Sequence, residues 1–172
     1  MPRQVALLRG VNVGPTTKVA MADLREAFSG LGFTEIKTYV NSGNVVFSGR
    51  KASLAKVEKA IAAVAGWDVP VVLRTQDELA EILQANPLAK VANNASRYLV
   101  LFGDGAVDAS KASDLDPQDL EPEAFAIRGR EAYLWLPNGV QSSPLAKAMN
   151  EKRFGVRLTG RNWRTVEKLS AL

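Results

Sequence analysis

The stretch EIKTYVNSGNVVFSG, residues 35–49, decides how this chain is read. Its first six residues alternate as a half-buried strand does. Asn-Ser-Gly-Asn is turn chemistry, and VVFSG is a returning strand, so residues 35–48 form a hairpin. Before it, QVALLR (residues 4–9) is a short apolar run ending at Gly10 and reads as a strand. MADLREAFSGLG (21–32) then places Met21, Leu24, Phe28 and Leu31 at helical spacing, with Gly32 as the stop. After the hairpin, SLAKVEKAIAAVAG (53–66) carries a second helical stripe at Leu54, Val57, Ile61 and Val64. VPVVLR (69–74) is a strand, and the Thr75/Glu78 spacing of a capping box opens a third helix. The order is β-α-β-β-α-β plus a helix, the split βαβ order of the ferredoxin-like fold.

Working outward, QANPLAKVANNAS (84–96) has a proline, paired asparagines and no periodicity, and reads as a linker. RYLVLFG (97–103) resumes as a strand, followed by a weak helical stretch at 108–115 and a proline-broken loop at 116–123. Residues 124–137 form a hairpin across Gly129. Ser143-Pro144 opens a single helix running to Gly155, VRLTG (156–160) is a strand, and NWRTVEKLSAL closes the chain as a helix. The expected class is α+β, two tandem ferredoxin-like units each followed by a helix: residues 1–84, a linker at 85–96, and residues 97–172. The repeat rests on element order, because the letters of the two halves differ.

Composition narrows the chemistry. The chain lacks cysteine and histidine, which excludes thiolate nucleophiles, disulfides, the usual zinc sites, Ser-His-Asp triads and histidine acid–base catalysis. No metal site is expected. No apolar run approaches the ~20 residues that cross a bilayer, and the amino terminus lacks the pattern of a secretory signal, so a cytoplasmic location without membrane partners is expected. The net charge is +4 and the pI near 9.5. Carboxylates dominate Gly103 to Glu123, where Lys111 is the lone lysine, whereas residues 150–168 carry Lys152, Arg153, Arg157, Arg161, Arg164 and Lys168.

The other informative stretch is RGVNVGPTTKV, residues 9–19. A right-handed crossover makes the first two strands parallel, so the loop after each leaves the same end of the sheet. Gly10–Ala20 and Asn41–Asn44 should therefore be neighbours, with Asn12, Thr16, Thr17 and Lys18 on one and Asn41, Ser42 and Asn44 on the other. Such a pair beside a helix N-terminus suits an anion. It is not a P-loop: three residues separate Gly10 from Gly14, Lys18 follows four places on, and Pro15 removes a backbone donor. Nor is it G-x-G-x-x-G. A plain strand-to-helix bend at Gly10 and Gly14 is the alternative. RNA binding by base stacking on strands one and three is disfavoured, since those strands offer only Phe47.

Three motifs together carry a resemblance. ALLRGVNVGPTTKVAMADLREAFSGLGF, TYVNSGNVVF and TGRNWRTVEKL occur in the order found in a bacterial family known as domain of unknown function 1697, which the chain resembles throughout. The matching positions are Arg9, Gly10, Asn12, Gly14, Lys18 and Met21; Ser42, Gly43, Asn44 and Phe47; and Arg161, Asn162, Trp163 and Thr165. Pro15 stands where the family has a second glycine, and Ala20 where it has proline. The resemblance implies two ferredoxin-like parts and no activity.

The leading expectation is a protein that binds a phosphate-bearing ligand, either a nucleotide-like small molecule or nucleic-acid backbone. The binding set is Arg9, Gly10, Asn12, Gly14, Lys18, Ser42, Asn44, Arg161 and Asn162, with Arg161 and Asn162 within ~10 Å of the two loops, about one Debye length. Alternatives are an enzyme acting on a phosphorylated substrate through Lys18, Asp23 or Arg161, and a protein-interaction module using the acidic strip 103–123. Cofactor, oligomeric state and catalytic residues stay open.

Overall fold

The computed structural model describes residues 2–40 and 43–172. Its architecture is α+β, with two four-stranded antiparallel sheets. The chain divides into two compact units, residues 1–82 with 168–172 and residues 83–167. These bounds differ from the sequence-based ones at both ends: residues 83–96 group with the second unit, and the last five residues with the first.

In the first unit the order is β1 (Arg3–Leu8), α1 (Met21–Gly30), β2 (Thr34–Tyr39), β3 (Asn44–Ser48), α2 (Leu54–Ala65), β4 (Val71–Thr75) and α3 (Gln76–Ala85). The strands lie in the order β2-β3-β1-β4. Leu24 and Phe28 of α1 and Val57 and Ile61 of α2 pack on Ala6, Leu8, Val45, Phe47 and Val71 of the sheet. Phe28, Phe33 and Phe47 meet there, with Phe33 and Phe47 ring centroids 4.5 Å apart. Val5 and Leu7, on the opposite face of β1, are equally buried. A strand covered on both faces is why VALL reads as an unbroken apolar run.

Local signals fix the element ends. The Gly32 N–H bonds Ser29 C=O and the Phe33 N–H bonds Phe28 C=O, with Gly32 at φ +90°. That is a Schellman end, and Phe28 touches Phe33 across it. Ser53 caps α2 through the Lys56 N–H, and Gly66 ends it in the left-handed region. The capping box of α3 is present in both directions: Thr75 Oγ1 accepts from Glu78 N–H at 3.1 Å, and Glu78 Oε2 accepts from Thr75 N–H at 3.0 Å.

The second unit runs β5 (Tyr98–Gly103), a 3-10 turn at Ala109–Ala112, α4 (Pro117–Leu120), β6 (Ala124–Arg128), β7 (Glu131–Trp135), α5 (Pro144–Ala148), α6 (Glu151–Phe154), β8 (Leu158–Asn162) and α7 (Trp163–Ala171). Its strands lie in the order β6-β7-β5-β8. Two expectations are corrected here. Residues 116–123 are not all loop, because Asp116 caps the Gln118 N–H and Pro117 takes the first helical position. The single helix from Pro144 to Gly155 is broken at Met149–Asn150, where Asn150 turns extended and caps Arg153 N–H at 2.9 Å. Asparagine competes with helical backbone for hydrogen bonds and so favours a cap over a helix interior. Tyr98 anchors the preceding segment: its hydroxyl donates to Asn86 Oδ1 and accepts from Leu88 N–H, and its ring stacks on Trp163 at 4.5 Å.

The two units share bonds as well as element order. Leu8 N–H donates to Gly43 C=O at 2.9 Å, as Gly103 N–H does to Arg130 C=O at 2.8 Å. Arg9 N–H donates to Pro70 C=O at 2.9 Å, as Asp104 N–H does to Arg157 C=O at 3.0 Å. The first N–H of the last strand bonds a helix glutamate in both, Val71 to Glu58 at 3.2 Å and Leu158 to Glu151 at 2.9 Å. Val5 pairs with Arg74 and Val100 with Arg161. Each arginine is buried, and each donates Nη1 to the carbonyl of the residue before it. Each is followed by a residue whose side chain caps the next helix, Thr75 or Asn162.

Candidate functional site

β1 and β2 both run antiparallel to β3, so they point the same way and their following loops leave at one end of the sheet. The loops touch. A Cβ on Gly43 would lie 2.6 Å from Val11 Cγ2 and 2.8 Å from Leu8 Cβ, and Gly43 has φ +87°. Only glycine fits that position. Ser42, with Asn41, lies outside the described residues.

The loop after β1 is tied to itself. Asn12 sits at φ +54°, and its side-chain amide pairs with the Val19 backbone, Oδ1 accepting from N–H at 3.0 Å and Nδ2 donating to C=O at 3.1 Å. Its own N–H donates to Thr17 C=O at 2.7 Å. Thr17 Oγ1 accepts from Val13 N–H and donates to Gly14 C=O. Asn12 thus acts as a clamp across the loop. Asn44 is fully buried and does the same for the neighbouring turn, donating Nδ2 to Tyr39 C=O at 2.8 Å.

The rim left outward is Gly10, Val13, Pro15, Thr16 and Lys18, all exposed, with Arg9 half-buried beneath. Val13 is 74% exposed. Behind the rim, α1 begins at Met21, and Ala20 at its N-cap position supplies no side-chain cap. Asp23 lies exposed in the first turn, where an acidic residue complements the helix dipole.

Arg9, Gly10, Asn12, Gly14, Lys18 and Asn44 all lie in the first unit, on two loops that meet where Gly43 faces Leu8 and Val11, while Arg161 and Asn162 belong to the second. Asn162 Oδ1 caps α7 through Thr165 N–H at 2.9 Å. Arg161 is 8% exposed and donates to Thr159 Oγ1 and to Gly160 C=O. Burial pulls its guanidinium down to about 10, so it keeps its charge at neutral pH against a desolvation cost. Sequence reasoning missed Arg74 as the counterpart of Arg161. The signal was there, an arginine one residue before a helix cap at the end of the last strand of each half.

Among known proteins, the family described as "Protein of unknown function (DUF1697)" matches residues 1–133. That span holds the loop after β1 and the β2–β3 turn, and the third motif at 161–165 lies beyond it. The structure of the conserved bacterial protein SP0830 from Streptococcus pneumoniae is similar over 99% of this chain and 97% of that one, with a TM-score of 0.75 and 24% identity, a likeness of fold. No curated protein matches. The chain belongs to the DUF1697 family of proteins of unknown function.

Proposed function

We propose that the chain binds a phosphate-bearing ligand, a nucleotide-like small molecule or a stretch of nucleic-acid backbone, in the cytoplasm, on the loop that follows β1. In this reading each unit is a ferredoxin-like fold, supported by the strand order β2-β3-β1-β4 and its repeat β6-β7-β5-β8. The observation that carries the proposal is an internally hydrogen-bonded loop that delivers exposed Lys18 next to the uncapped amino terminus of α1. Helix amides and a nearby cation are the usual partners of an anion. Roles divide accordingly. Lys18 and Thr16 meet the ligand, Arg9 adds charge from below, Gly10 and Gly14 let backbone approach, and Asn12, Asn44 and Gly43 hold the two loops in place.

A panel of nucleotides, sugar phosphates and short oligonucleotides, screened by thermal shift at low salt and followed by titration, tests this. Lys18→Ala should weaken any binding about tenfold or more, since a charge-assisted bond is worth ~1.5–3 kcal/mol, and should leave the melting temperature of the free protein unchanged. No shift from any phosphate compound, or binding indifferent to Lys18, would overturn the proposal.

A further inference from the structure

The second unit carries an open sheet edge beside a groove, well away in sequence from the loop discussed above. β6 is an edge strand, paired with β7 alone and in unbroken register from Ala124 to Arg128. Its hairpin closes at the Arg128–Glu131 pair, so ladder alternation turns the N–H and C=O of Phe125 and Ile127 outward. The other hairpin edge is protected. β2 has a register shift between Thr34 and Lys37, a positive φ at Glu35, and exposed Lys37 itself. Bulges and charged side chains, lysine above all, are the devices that stop an edge from pairing with another chain, and β6 has no bulge and a single charge, the exposed Arg128 at its hairpin end.

A groove of about 630 Å³ opens beside the start of β6, walled by Val91, Pro117, Leu120 and Phe125 and also by Glu121 and Glu123, and Val91 is 46% exposed. A second cavity of about 220 Å³ shares the wall from Leu120 to Glu123 and adds Asp119 and Asn138. Glu123 is held inward, accepting from Leu145 N–H, which leaves Asp119 and Glu121 as the exposed carboxylates at the junction. Apolar and acidic side chains that share one wall beside the start of an edge strand match an extended peptide in which an apolar side chain neighbours a lysine or arginine.

We infer that β6 is a docking edge for a short, cationic, extended peptide of another protein, which adds a strand to the sheet at Phe125 and Ile127, seats an apolar side chain by Leu120 and Phe125, and places a basic one by Asp119 and Glu121. The full-length chain, 15N-labelled, would be titrated with capped hexapeptides alternating valine or isoleucine with lysine or arginine, with glutamate versions and backbone N-methylated versions as controls. The expected result is saturable shifts at the Phe125 and Ile127 amides, at least tenfold weaker for the glutamate and N-methylated peptides. Glu121→Lys, on an exposed side chain, should cut affinity for the cationic peptides tenfold with an otherwise unchanged spectrum. The inference is overturned if no cationic peptide moves those amides at millimolar concentration, if glutamate peptides bind equally well, or if the shifts fall on β2.

Discussion

At the scale of single residues, the loop after β1 shows how a polar motif can be structural. Asn12 and Asn44 have the look of ligand groups in sequence, yet both side chains bond backbone of their own loops. Sequence alone does not separate these uses, because an amide that binds a ligand and one that bonds a carbonyl seven residues away are the same letter. The glycines do separate. Gly43→Ala should destabilise by about 3 kcal/mol, since it adds left-handed strain to an overpacked Cβ. Gly10→Ala, also at positive φ but with open space around it, should cost only about 1 kcal/mol. Urea unfolding of the two variants checks the ordering, and equal losses would mean that the loops do not pack as described.

At the scale of elements, periodic segments were legible and short ones were not. α1, α2 and α3 each carry apolar stripes and terminal signals over ten or more residues, enough for pattern to decide. The helices between Asp108 and Phe154 are pieces of about one turn, where caps outweigh periodicity, and so the break at Asn150 and the turn of α4 are not legible in the sequence. An ion pair in this region has a pH signature. The hydrogen bond from Arg153 holds the Asp114 carboxyl below its usual value of 3.8. A lowered carboxylate adds stability above its unfolded value and loses it as the pH falls through the folded one. The margin of the parent protein over Asp114→Asn should therefore be present at neutral pH and close below about pH 3.8, as acid unfolding of the pair would read out.

At the scale of the whole molecule, the shared bonds say more about repetition than the letters do. A backbone-to-backbone bond such as Leu8 to Gly43 or Gly103 to Arg130 leaves no mark in side chains, so the halves can keep geometry while their sequences drift. The glutamates that hold the last strands are a testable pair. Removing a charged acceptor from a half-buried N–H costs ~1–3 kcal/mol. Glu58→Ala should speed hydrogen exchange at the Val71 amide, and Glu151→Ala should do the same at Leu158, by similar factors. A large effect in one unit and none in the other would show that the bonds are not equivalent in role.

The grouping of the last five residues with the first unit bears on how the protein is made. Gln76 Nε2 donates to Leu169 C=O, and Arg3 Nε donates to Leu172 C=O, bonds that span 93 and 169 residues of chain. A ribosome delivers the strands of the first unit long before these partners. The first unit's own core draws on residues 6–73, which vectorial synthesis can pack early, whereas these two bonds close only after residues 168–172 have been made. Nascent chains that expose everything up to Glu167 should protect residues 1–82 from protease less well than chains that also expose Lys168–Leu172, and equal protection would mean that the two bonds add nothing to the unit.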